Sequence, residues 1–207
     1  MDKIKAKNTT AQGMFYRTLE SIGTQGINFL IQLVLARILF PDDFGIIATL
    51  NIFINIANTF VNNGISTGLL RKKNATEVDF CTVFYLEIGI ALFMYLIIFF
   101  LAPVIANFYD NPAFKLYLRV FALTLIISAF GSFQITVLRY RMDFRSSFYA
   151  HLLGVIAQGI LGIILAILGF GVWSLILSQL IYRGITSLFL IVFTRWKPKI
   201  KFSCYFM

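Results

Sequence analysis

Charge is what this chain has least of. Asp, Glu, Lys and Arg make up 13% of its 207 residues, about half of the roughly 25% usual in a soluble domain. So little charge leaves a soluble fold no way to cover its surface. Histidine is almost absent, with His151 standing alone, and the two cysteines, Cys81 and Cys204, have no metal-ligand spacing. No metal site, cofactor or disulfide framework is expected from them. Patterns that carry catalysis are missing too: there is no G-x-S-x-G, no His-Asp acyltransferase pair and no P-loop. The loops are also too short to build an enzyme outside the membrane. Met1 to Gln12 is polar and lysine-bearing, without an apolar core before a small-residue cleavage site, so it does not read as a cleavable signal peptide. The first helix is expected to serve as its own insertion signal.

What fills the chain is apolar. Hydrophobic residues make up 59% of it, with 23 phenylalanines, and windows 44–70, 88–109, 120–138 and 152–182 contain no charge. A membrane span needs roughly 20 apolar residues. The sequence predicts an all-α, polytopic membrane protein with one bundle of six transmembrane helices, at about 13–39, 43–69, 80–107, 114–138, 145–169 and 172–194. Residues 1–12 form a segment before the bundle, and 195–207 a basic tail after it.

Loop charge orients this layout. Lys3, Lys5 and Lys7; Arg71, Lys72 and Lys73; Arg139, Arg141 and Arg145; and Arg195, Lys197, Lys199 and Lys201 all fall on one side. They are thirteen of the eighteen basic residues. Asp42, Asp43 and Asp110 lie on the other side, with Lys115 the only nearby lysine there. By the positive-inside rule both termini are cytoplasmic. The net charge of +9 is thereby accounted for by topology, and no nucleic-acid partner is expected. Breakers fall at the turns: Pro41, Pro112 and the Gly169-Phe170-Gly171 turn outside, with Pro103 predicting a kink within the third span.

The polar residues inside the spans are patterned. Asn51, Asn55, Asn58 and Asn62 share one face of the second helix, and Arg17, Ser21, Gln25, Asn28 and Gln32 share one face of the first. Asn and Gln glue membrane helices together at ~0.6–2 kcal/mol per hydrogen bond. Four in register opposite five polar positions exceed what gluing requires, and point to the walls of a hydrated cavity. Weaker stripes run along Thr124, Ser128, Ser132 and Thr136, and along Ser147, His151, Gly154, Gln158 and Gly162, whose small residues allow close helix approach.

Ionisable residues within spans are costly and mark function. Arg183 sits near the midplane of the sixth span, with Gln179 and Ser187 one turn either side. A planar, permanent donor there suits a phosphate or carboxylate, or a structural pair with Glu20 or Glu87. Arg17 can pair with Glu20, snorkel to the interface or meet substrate. Glu87 reads as a proton or cation site or as a partner for an arginine. Arg37 and Arg119 lie near outer helix ends, where they snorkel or line an outward-facing mouth. His151 reads as structural or interfacial.

Five motifs in order carry a family resemblance: Leu35-Ala36-Arg37-Ile38-Leu39-Phe40-Pro41-Asp42-Asp43-Phe44-Gly45, Asn63-Gly64-Ile65-Ser66-Thr67-Gly68-Leu69, Arg139-Tyr140-Arg141-Met142-Asp143-Phe144-Arg145, Gly169-Phe170-Gly171-Val172-Trp173-Ser174-Leu175 and Arg195-Trp196-Lys197-Pro198. Together they resemble the polysaccharide-exporter branch of the multidrug/oligosaccharidyl-lipid/polysaccharide flippase superfamily, close to the Wzx-type lipopolysaccharide and O-antigen proteins. The resemblance implies a bacterial inner-membrane protein that flips an undecaprenyl-diphosphate-linked oligosaccharide between leaflets. It implies two helix bundles rocking around a cationic cavity, with glycan polymerase and ligase machinery as neighbours. By position, Arg183, Arg17, Asn28, Gln32, Gln179 and the asparagine face of the second helix would line that cavity. The chain resembles only the first bundle, so the expectation is a truncated or incomplete protein, or a half that pairs with a missing C-terminal bundle or a second copy. The alternatives are a cation-coupled drug antiporter of the same superfamily and a non-transporting or inactive membrane scaffold.

Overall fold

The computed structural model describes the backbone of residues 2–62, 77–141 and 143–194, and the side chains of 18–61, 78–141 and 143–194. Seven helices account for nearly all of it: α1 (Asp2–Ile38), α2 (Pro41–Asn62), α3 (Glu77–Phe108), α4 (Pro112–Phe121), α5 (Leu123–Tyr140), α6 (Phe144–Ile167) and α7 (Val172–Thr194). The chain is all-α among the described residues. Among the described residues, five segments are long and apolar enough to cross a membrane: Pro41–Val61, Val78–Phe108, Pro112–Tyr140, Phe144–Ile167 and Val172–Thr194. The third of these joins α4 and α5 across Ala122. Helix α1 is longer still, at 37 residues, but its polar stripe makes it the least apolar of the long helices. Residues 63–69 of the expected second span, the Asn63–Leu69 motif, the Arg71–Lys73 loop and the 195–207 tail lie outside the described residues.

Local chemistry starts each helix. Pro41 and Pro112 open α2 and α4 at positions where a missing N–H costs nothing. Asp42 and Asp43 complement the positive end of α2, and Asp43 accepts a hydrogen bond from the Phe40 N–H at 3.2 Å. Asn111 caps α4 by accepting from the Ala113 N–H at 3.1 Å. Asp143 caps α6 by accepting from the Ser146 N–H at 3.2 Å and its hydroxyl at 2.7 Å. The α6–α7 turn needs its glycines, since Gly169 and Gly171 have φ of 81° and 52°. An atom placed at the Cβ position of Gly171 would lie 3.5 Å from Asp43, so this turn and the α1–α2 turn meet at one end of the bundle. At the opposite end Arg141 donates to the Thr194 carbonyl at 3.0 Å, tying the α5–α6 turn to the end of α7.

The packed pairs run α1–α6, α6–α7, α7–α5 and α3–α5, with α2 resting on α3 and α7. The first two helices, consecutive in sequence, are not one of the bundle's packed pairs; α6 and α7 stand between them. The two meet in the common apolar core near their shared turn, which holds Ile31 and Leu35 of α1 and Leu39 just after it, with Ile47, Leu50 and Ile54 of α2. From Thr18 to Leu30 no residue of α1 is fully buried. The wide outer surface of Phe93, Phe100, Leu116, Ile160 and Val192 is the lipid-facing side expected of a spanning bundle.

Two features decide how closely the helices approach. Pro103 lies inside α3 and has no N–H to offer the carbonyl four residues back, that of Phe99. Arg119 of α4 supplies the missing donors: its Nε and one terminal nitrogen both donate to the Phe99 carbonyl at 3.3 Å. Its guanidinium carbon also sits 3.9 Å from the Phe99 ring centroid. On α6, Gly159 faces Ile31 so closely that an added Cβ would lie 2.6 Å from its Cδ1. Gly159→Val is expected to cost about 1–3 kcal/mol through this overlap. The cost would be read as a lower midpoint in an SDS unfolding titration, and Ile31→Ala in the same chain should recover most of it.

Candidate functional site

The first wall of the expected cavity is α1. Ser21, Gln25 and Gln32 are exposed along it and Asn28 is half-buried. Gln25 donates to the Ser21 hydroxyl at 3.1 Å, a bond within the same helix. The second wall is α2, where Asn55 is exposed and Asn51 and Asn58 are half-buried. The side chains of Arg17 and Asn62 lie outside the described residues. Between the two walls stands α7, which contributes half-buried Gln179 and exposed Arg183. Among the described residues, no side chain of Asn28, Gln32, Asn51, Asn55, Asn58 or Gln179 bonds to a neighbouring helix. Interhelical gluing therefore does not account for the stripes. The stripe on α5 differs: Thr124, Ser128 and Thr136 donate back to carbonyls of Phe121, Leu125 and Ser132, so its hydroxyls are consumed within one turn.

Arg183 forms no ion pair with Glu20 or Glu87 among the described residues. Its guanidinium lies 5.5 Å from the Tyr182 ring centroid and is otherwise open to the surroundings of the bundle. Glu87 is buried at 1% exposure on the face of α3 turned toward α5. Arg37 is exposed at the last turn of α1. Arg119 is committed to a structural role, holding the Phe99 carbonyl.

The structure assembles one group that the sequence had left scattered. Glu20 of α1 accepts a hydrogen bond from the Ser147 hydroxyl of α6 at 3.2 Å. The same Oε1 lies 3.5 Å from Nε2 of His151. The other ring nitrogen of His151, Nδ1, is 3.0 Å from the Tyr182 hydroxyl of α7. A cavity of about 270 Å³ opens beside them, lined further by Thr24, Gln25, Arg139 and Asp143. Residues 127 and 31 positions apart thus share one polar cluster across three helices.

Comparison with known proteins places the chain. A family model described as "Polysaccharide biosynthesis protein" matches residues 34–207. The chain belongs to the polysaccharide biosynthesis protein family. It is 28% identical over 201 residues to the succinoglycan biosynthesis transport protein ExoT of Rhizobium meliloti (strain 1021), covering 97% of this chain and 40% of that protein. It is 20% identical over 138 residues to the lipopolysaccharide biosynthesis protein WzxC of Escherichia coli (strain K12), covering 67% and 28%. An uncharacterized membrane protein in the cps region of Klebsiella pneumoniae is 22% identical over 162 residues, covering 76% and 33%. The chain therefore spans 40% or less of the length of these curated relatives. No solved structure matches it.

Within this polysaccharide biosynthesis family member, sequence reading finds the stripes and the embedded charges but not the partnership of Glu20 with His151. Ser147 and His151 stand on one recognised stripe, which is the single signal available. Tyr182 is hidden among the many aromatics of an apolar helix.

Proposed function

We propose that this chain carries lipid-linked oligosaccharide across the bacterial inner membrane during lipopolysaccharide, capsule or exopolysaccharide biosynthesis, as one bundle of a two-bundle flippase. The substrate class is an oligosaccharide on undecaprenyl diphosphate. The other bundle is a C-terminal partner or a second copy, and glycan polymerase and ligase act on what is delivered. The observation that carries this reading is the set of amide side chains on α1, α2 and α7 that bond to no neighbouring helix among the described residues. In a family tied to polysaccharide biosynthesis, such faces supply the donors and acceptors that sugar hydroxyls lose when they leave water. Arg17 and Arg183 add the cationic groups that a diphosphate needs.

The mechanism needs no covalent step. The lipid tail stays in hydrocarbon while the polar head moves along the wet faces, so the protein lowers the barrier to transfer and acts as a transporter, not an enzyme. Both termini and the mouth at Arg17 are cytoplasmic in this reading, and the Asp42-Asp43 turn is periplasmic. The drug-antiporter alternative needs carboxylates to dominate the cavity, and here the exposed embedded charge, Arg183, is cationic.

The test is export. The combined variant Asn51→Leu, Asn55→Leu should be made as abundantly in the membrane as the parent and should lower surface glycan severalfold in a flippase-null strain that the parent complements. Full complementation by this variant would leave a non-transporting scaffold as the better reading.

A further inference from the structure

We infer that Glu20, His151 and Tyr182 form a proton-binding site that joins α1 to α6 and α7. Three observations point to it. The groups touch in sequence, carboxylate to imidazole to phenol, at 3.5 and 3.0 Å. The site is only partly shielded, with side chains of His151 and Glu20 17% and 20% exposed beside a polar cavity. Protons can therefore enter and leave without unfolding the interface. Lastly, the site lies on the stretch of α1 from Thr18 to Leu30, in which no residue is fully buried.

The chemistry is a single proton added to a neutral imidazole. In the deprotonated state the Tyr182 hydroxyl donates to Nδ1, and the Nε2–H faces the Glu20 carboxylate. On protonation Nδ1 gains the proton, and the Tyr182 hydroxyl turns to accept from it. No heavy atom has to move. Protonation places an imidazolium beside the Glu20 carboxylate, which draws α1 against α6. The other charged groups facing the site are Arg183 beside Tyr182, Arg139 of α5 and Asp143 at the head of α6. The two arginines favour the ionised carboxylate and oppose the imidazolium, so Glu20 has to offset them, and the Ser147 hydroxyl bonds to Glu20 in both states. Since α1 also carries Gln25, Asn28 and Gln32, a proton at this site sets how firmly one wall of the proposed cavity is latched. As a coupling device it rests on the transport reading; as a proton site it stands by itself.

The single histidine makes the test direct. The 207-residue chain labelled with ¹⁵N-histidine and held in lipid nanodiscs gives one imidazole to follow by NMR. The expected result is reversible titration within about pH 3 to 8. E20Q should lower the proton affinity of the ring about tenfold or more. Tyr182→Phe, which keeps the ring and removes one oxygen, should shift the nitrogen signals of the neutral form and so serves where E20Q does not fold. An imidazole locked in one form across that range would overturn the site. So would identical titration in the parent, E20Q and Tyr182→Phe. The measurement involves no glycan, so a silent imidazole leaves the export reading intact, and full complementation by the asparagine variant leaves the proton site intact.

Discussion

Arg183→Ala should lower glycan export roughly ten- to hundredfold while leaving the protein folded. The size follows from the roughly 1.5–3 kcal/mol that a hydrogen bond to a charged group is worth, if the guanidinium meets a diphosphate in the working state. The expectation of an intact fold follows from placement. Arg183 is exposed, caps nothing and has no carboxylate partner among the described residues, and such substitutions fall within about 0.5 kcal/mol. Arg183→Lys separates charge from shape. Lysine keeps the charge but cannot grip a phosphate with two parallel N–H groups, so it should recover part of the export and not all of it. Surface glycan and membrane-fraction abundance, measured together in a flippase-null strain, check both. Full export by Arg183→Ala would remove the anion-facing role and leave the weak contact with Tyr182 as all the residue does.

Arg119→Leu is expected to be the most destabilising single change where α3 meets α4, at about 1–3 kcal/mol. Pro103 leaves the Phe99 carbonyl without its helical donor, and in hydrocarbon no water replaces it. Arg119 satisfies it with two N–H groups and stacks on the Phe99 ring, which adds a cation–π contribution. A specific coupling follows. Pro103→Ala restores the N–H inside α3, so Arg119→Leu should cost distinctly less in that background. A double-mutant cycle by SDS unfolding measures the difference. Equal costs in both backgrounds would mean that the arginine acts through the ring alone. Two of the five N–H groups of Arg119 are used in this bond, so the contact gives the residue a structural role beside the outward-facing mouth proposed for it.

Membrane residence, helical class and the positions of most turns are written in the local chemistry of the chain. The cause is energetic. A charge-free run of some 20 residues has no other place to go, Pro41 and Pro112 mark helix starts, and the Gly169–Gly171 turn marks a helix end. The polar stripes were legible for the same reason, because helical period alone puts Asn51, Asn55 and Asn58 on one face. The family resemblance rested on motifs at those turns, and the match over residues 34–207 agrees with it. Which helices touch was not legible. Short loops favour consecutive spans packing side by side, yet α1 packs on α6, and α7 lies between the two wet helices. That choice depends on shape, on Gly159 admitting Ile31, and no periodicity encodes it. Partnerships over long separation were equally hidden. Glu20 and His151 lie far apart in sequence, and Arg119 and the Phe99 carbonyl are joined only because a proline opened a gap opposite α4. Hydrophobic run length is a property of a segment and survives in sequence. Polar pairing is a property of two segments brought within about 3 Å, and folding in three dimensions selects which two.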